Sequence, residues 1–297
     1  MKPEIIIPNK KKFSNSSSKT DWDLVITPDR GWFSVDLKAL WRYRDLIFFF
    51  IRRDLVSQYK QTILGPIYYV FTPIIGTLIN TFIFGKIAKL ETDGIPHFLF
   101  YMSGGLFWGY FNNCLNAAKN TFSNNAGIFS QVYFPRLSVP ISQAISSLFR
   151  LIIQFGVFFS LYIYFVADGI ELRPSIWIVF IPILLMQCAL LGIGVGVLLS
   201  SFTIKYRDLN FIFGFFVTSW MYASPVVYPL SVIPEKWHFI LSLNPMVGVI
   251  ESARQILFGV SSLQLEHIIF GVLVNFVALI IGVIVFNKVE RNFLDTV

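Results

Sequence analysis

The chain has 297 residues, of which 55% are hydrophobic and only 14% charged, with a mean hydropathy of +0.65. A soluble domain carries about 25% charged residues, so this composition leaves too few groups to cover a water-facing surface and excludes an ordinary soluble enzyme. The net charge of +7 belongs to a membrane face rather than to a nucleic-acid groove, which would need a water-soluble basic fold.

Residues 1–35 form a cytoplasmic extension. NKKKFSNSSSK (Asn9 to Lys19) is polar, basic and without period, the composition of a disordered tail drawn to anionic headgroups. DLVITPDRGW (Asp23 to Trp32) pairs a β-prone run with a turn signal and reads as a small ordered cap.

Over 36–62, Leu37, Trp41, Phe48, Ile51, Leu55 and Tyr59 recur at helical spacing, while Lys38, Arg42, Asp45, Arg52 and Arg53 fall largely off that stripe. The longest apolar run, Leu46 to Ile51, is too short to cross a bilayer. A basic amphipathic helix with aromatic residues on its apolar side lies in the interface plane. The alternative, a solvated helix packed on a soluble domain, has no such domain to pack on.

Residues 63–297 hold six apolar blocks of membrane-crossing length, at about 64–85, 97–118, 143–166, 176–202, 209–228 and 266–287. Each is apolar on all faces, which favours burial in lipid over an amphipathic surface helix. The first 62 residues carry 12 of the 24 Lys and Arg. With the N-terminus inside, 18 of the 24 fall on the cytoplasmic side against five outside, which places both termini in the cytoplasm. No secretory leader is expected, because the first long apolar run starts past residue 60.

Between the second and third spans, Ile128, Phe129, Val132 and Tyr133 share one face of a short helix whose start Ser123, Asn124 and Asn125 can cap. That face rests on the membrane or docks a cytosolic partner, and spacing alone does not choose. Arg150 is the one charge inside a span. About 25 Å of helix follows it, so it can snorkel to the inner headgroups; alternatively, it faces a passage for an anionic substrate. After the fifth span, Ser224 to Gly259 carries prolines at 225, 229, 234 and 245. It reads as two apolar helices, each too short to span, broken at Asn244-Pro245 and stopped at Gly259. Such a pair dips into a membrane only where it is packed in protein or lines a cavity. Glu251 and Arg254, three apart, are expected to pair.

The chemistry of catalysis is missing. His97, His238 and His267 have no metal-ligand spacing, Cys114 and Cys188 read as small core residues, and there is neither a phosphate-binding loop nor a nucleophile elbow. No Asp or Glu lies near the middle of an expected span, where ion-coupled carriers usually need one. No catalytic or metal site is therefore assigned.

WRYRDLI, RRDLVSQYKQTILGP, VYFPRLSVP, FTIKYRDLN, SPVVYP, LNPMVGVIESAR and FNKVERNFLDTV occur in this order. Together, over residues 36–297, they resemble the permease subunits of bacterial ABC exporters for O-antigen, teichoic acid and related polysaccharides. The resemblance implies an all-α integral membrane protein of the bacterial inner membrane. It would have six transmembrane helices, an interfacial helix, a cytoplasmic coupling helix and an outer re-entrant pair. It implies as partners a second copy of the chain, a separate ATPase that binds ATP and Mg, membrane lipids, and a lipid-linked polysaccharide as cargo. On it, Phe129, Val132 and Tyr133 become the ATPase-coupling face. Leu64 and Gly65, with Arg52 and Arg53, become the site where the lipid headgroup gains access. Sugar rings stack on aromatic faces, which makes Tyr68, Tyr69, Phe71, Phe215, Trp220 and Tyr222 candidates for the substrate pathway. Residues 1–35 and Arg150 depart from the family pattern. A drug or small-lipid exporter of the same architecture and a stand-alone membrane transferase are the rival readings.

Overall fold

The computed structural model describes residues 37–60, 65–129, 131, 134–172, 174–206 and 208–260, with isolated helical positions between 272 and 284. The described residues form helices and connecting turns, with no strand among them. The expected tail and cap of residues 1–35 and most of the sixth expected span lie outside them.

The expected interfacial segment is two helices, α1 (Leu37–Arg42) and α2 (Arg44–Lys60), separated at Tyr43. The expected apolar stripe divides. On it Ile51 is buried and Leu55 half-buried, whereas Trp41 and Phe48 stand exposed; off it Phe50 is buried and Phe49 and Val56 are exposed. One side of α2 packs on the rest of the chain, and the other is left for a lipid surface.

Three helical segments are long and apolar enough to cross a membrane, Ile67–Ile87, Ser138–Ala167 and Ile176–Thr203. The first comprises α3 (Gly65–Asn80) and a wider π-helical continuation, Thr81–Ile87. The second is α6 (Ser138–Ala167), and the third is a short 3-10 turn, Ile176–Phe180, running into α7 (Ile181–Lys205). α8 (Leu209–Tyr222) is apolar but has only 14 residues.

α4 (His97–Lys119) differs from the expectation that each span is apolar all round and lipid-covered. It is the buried centre of the main core, with Leu99, Phe100, Phe107, Phe111, Cys114 and Leu115 almost wholly enclosed. Its closest neighbour is α7, and the reason is glycine. A Cβ at Gly192 would lie 2.7 Å from the Cys114 Cβ and 2.8 Å from the Phe111 carbonyl oxygen, and one at Gly196 would lie 2.7 Å from the Ala118 Cβ. Small residues four apart let two apolar helices touch along their backbones, where packing rather than hydrophobic expulsion holds them together. Gly194, between them, lies against Gly282.

The segment after α8 follows the sequence closely. Short 3-10 turns at Leu230–Val232 and Glu235–Trp237 lead into α9 (His238–Ser242) and α10 (Pro245–Phe258). Asn244 caps α10 by accepting the Met246 N–H at 3.1 Å, Pro245 occupies the first turn, and Gly259 at φ 76° closes it. That left-handed closure favours glycine.

Candidate functional site

At one end of the core, α5 (Thr121–Phe129) sits in a satellite cluster made by Phe50, Ala118, Phe129, Phe134, Val139 and Val197. The α5 backbone bends at Asn125. Phe129 is 7% exposed. Its ring centroid lies 5.4 Å from that of Phe134, which in turn lies 5.7 Å from Phe50. The buried Arg136 guanidinium lies 5.5 Å over the Phe129 ring. The Phe129 ring is therefore not an exposed face: it fastens α5 to α2 and to the ends of α4, α6 and α7. Among the described residues of this turn, Asn124, Gly127 and Gln131 are exposed. Val132 and Tyr133 lie outside the described residues, as does Leu64.

Arg53 is also engaged locally, 4.8 Å over the Phe50 ring and 2.9 Å from Asp54 Oδ1. Arg52, beside it, is exposed, and Gly65 begins α3 a short step further along the chain. Arg52 therefore presents a solvent-facing charge, and Arg53 a partly exposed one held by Asp54.

Arg150 lies between α6 and α3. Its Nη2 donates to Ser147 Oγ at 2.7 Å, and its guanidinium stands 5.7 Å from the Tyr69 ring centroid. The buried Nε has no hydrogen-bond partner. One turn on, Gln154 Nε2 donates to the Tyr69 carbonyl at 3.5 Å.

The six aromatic candidates fall into two groups. Tyr68, Phe71, Phe215 and Tyr222 are exposed, facing lipid, a second copy or a passage. Tyr69 is half-buried beside Arg150. Trp220 is built into the interior, with ring centroids 5.2 Å from Phe111 and 6.2 Å from Trp108. Its Nε1–H donates to Asn244 Oδ1 at 3.0 Å. Trp220 is thus a packing residue that holds the cap of α10, which its aromatic type alone did not reveal.

At the other end of the core, Arg254 Nη1 donates to Glu251 Oε1 at 2.8 Å and Nη2 to the Val226 carbonyl at 3.1 Å. The guanidinium lies 3.7 Å from the Phe100 ring centroid. Both charges are almost completely buried. A Cβ at Gly104 would lie 3.0 Å from Arg254 Nη2 and from the Val226 oxygen, so α4 leaves this space for the cation. The expected pair forms, and it does more than pair: it clamps α10 to α4 and to the 224–228 loop. Asn244 reinforces the clamp by donating from Nδ2 to Ser224 Oγ at 2.8 Å. Tyr162 adds a bond from α6, donating to the Leu257 carbonyl at 3.0 Å. The Asn-Pro cap signal was present in the sequence; its other partners, 20 and more residues away, were not.

The family profile described as ABC-2 type transporter matches residues 45–258. An O-antigen export system permease protein of Klebsiella pneumoniae is 27% identical over 254 residues, covering 84% of this chain and 94% of its own. Its namesake in Myxococcus xanthus is 24% identical over 225 residues, covering 75% and 84%. A polysialic acid transport protein of Escherichia coli is 21% identical over 252 residues, covering 82% and 93%.

Proposed function

The chain belongs to the ABC-2 type transporter family, and from that premise we propose that it is the permease of an ATP-driven exporter of lipid-linked polysaccharide in the bacterial inner membrane. The observation that carries the reading is its likeness, over most of both chains, to permeases of O-antigen export. The chain is a multi-pass transport subunit and not an enzyme. A drug or small lipid as cargo is not favoured.

The finer reading is as follows. Six spans cross the membrane with both termini inside, and α9 with α10 form a re-entrant pair at the outer face. Two copies enclose the passage. A separate ATPase, holding ATP and Mg, engages the 120–134 turn, and its motion passes through the Phe129–Phe134–Phe50 contacts into α2 and the inner ends of the spans. The exposed aromatics of α3 and α8 are the sugar-stacking surface, and Arg52 and Gly65 mark where the lipid headgroup approaches. The anchored state of Phe129 supports this coupling route, because a segment that transmits a push must be fixed to what it pushes.

The test is reconstitution of the chain with the ATPase encoded beside it in liposomes. A lipid-linked polysaccharide should stimulate ATP hydrolysis and cross the bilayer only when both subunits are present. ATP turnover by the chain alone, after contaminants are excluded, would remove the reading.

A further inference from the structure

Arg150 is a cation without an anion. Among the described residues no carboxylate lies within ion-pair distance of it, its one hydrogen bond goes to the neutral Ser147, and its buried Nε is unsatisfied. A guanidinium enclosed by apolar helices is stable only when its donors and charge are answered. Among the described residues the other arginine held inside the main core, Arg254, has its carboxylate in Glu251, and Arg150 has none.

Depth defines what could answer it. α6 has 30 residues, about 45 Å at 1.5 Å per residue, against a hydrocarbon core of about 30 Å. Ala167 lies about 25 Å beyond Arg150 along the helix. With the far end of α6 at the outer boundary, Arg150 falls about 5 Å short of the inner one. The guanidinium turns back one helical turn to Ser147, towards that inner boundary. It also meets Tyr69, five positions into α3, so the start of α3 lies at the same level. On α6, Ile145, Phe149 and Ile152 are exposed, so this stretch of the helix has a lipid-facing side, and Arg150 itself is half-buried. The anions available at that depth are phosphates of inner-leaflet lipids.

We infer that Arg150, steadied by the Tyr69 ring and Ser147, binds the phosphate group of an inner-leaflet lipid in the cleft between α3 and α6. Two unused guanidinium donors on one planar edge suit two oxygens of a phosphate, a match that lysine's point charge does not reproduce. The phosphate comes from a bulk phospholipid or from the phosphate-linked anchor of the cargo; the second source rests on the proposed export function, and the first does not.

The full chain, purified in a neutral detergent, is titrated with phosphatidylglycerol and separately with an isoprenyl diphosphate, and bound lipid is read by native mass spectrometry. Wild type should retain at least one of the two about tenfold more tightly than Arg150→Gln, with Arg150→Lys between them. Size-exclusion profiles and thermal melts establish that the variants remain folded. Tighter binding of the diphosphate alone identifies a cargo-anchor site. Comparable binding of both, or of phosphatidylglycerol alone, identifies a phospholipid site and stands even if the export reading fails. Equal affinity of wild type and folded Arg150→Gln for both lipids overturns the inference.

Discussion

Removing the Arg254 cation tests whether the outer helices are held by the buried charge pair or by apolar packing. Arg254→Met keeps much of the side-chain volume but leaves the Glu251 carboxyl enclosed without its 2.8 Å partner, and the Val226 carbonyl without its donor. It also removes the stack on Phe100. Breaking one side of a buried ion pair costs about 3–5 kcal/mol, because the remaining charge is uncompensated. The double variant Glu251→Leu/Arg254→Met removes that charge. What remains is an unpaired carbonyl, worth about 1–3 kcal/mol, so the double variant should be more stable than the single by roughly 2 kcal/mol. Unfolding in mixed micelles at increasing SDS, followed by tryptophan fluorescence, measures both, since Trp220 bonds directly to the cap of α10. A single variant that loses less than about 1 kcal/mol, or a double variant at least as damaged as the single, would refute an electrostatic clamp.

Three further outcomes are expected. Gly196→Leu should prevent close approach of α4 and α7 and give aggregated protein by size exclusion, whereas Gly105→Ala, with open space around it, should elute as wild type. Phe129→Ala should cost about 3–5 kcal/mol of local packing and make the 120–134 turn more sensitive to limited proteolysis, even in the chain without its ATPase. A cysteine introduced at Lys236 should react with an impermeant thiol reagent in intact cells, while cysteines at Ser17 and Thr296 should not; the reverse pattern would invert the orientation drawn from the basic residues.

Local rules were legible in the sequence, and long-range choices were not. The end points of α10 follow from Asn244-Pro245 and Gly259, and the Glu251–Arg254 pair from a spacing of three, because capping and helix-surface pairing act within one turn. The stripe on α2 was legible only as apolarity. Which residues meet protein and which remain exposed depends on α6 and the satellite cluster, and no periodicity contains that information. The burial of Phe129 was hidden for the same reason: an apolar face calls for neighbours without naming them, and within the chain Phe134 and Phe50 are among them. Hydropathy cannot tell lipid from protein as the cover of α4. A signal was nevertheless present in Gly104, Gly105, Gly109, Asn112, Asn113 and Asn116, which a lipid-facing helix has little reason to carry.

The enclosed helix α4 connects the α5 cluster to the clamp on α10. Ala118 belongs to the cluster that holds α5, and Phe100 lies under Arg254 in the clamp on α10. Eighteen residues of continuous helix separate them, about 27 Å. The α7 glycines pack against α4 over Phe111–Lys119, and a closely packed helix does not bend easily, so displacement at α5 should reach α10 as a shift of the whole rod. The apolar spans Ile67–Ile87, Ser138–Ala167 and Ile176–Thr203 contain no Asp or Glu, so within them there is no proton- or sodium-binding carboxylate to drive such a shift. On the proposed function the force is applied at the α5 end, and the buried charge pair is the contact that would carry α10 with α4.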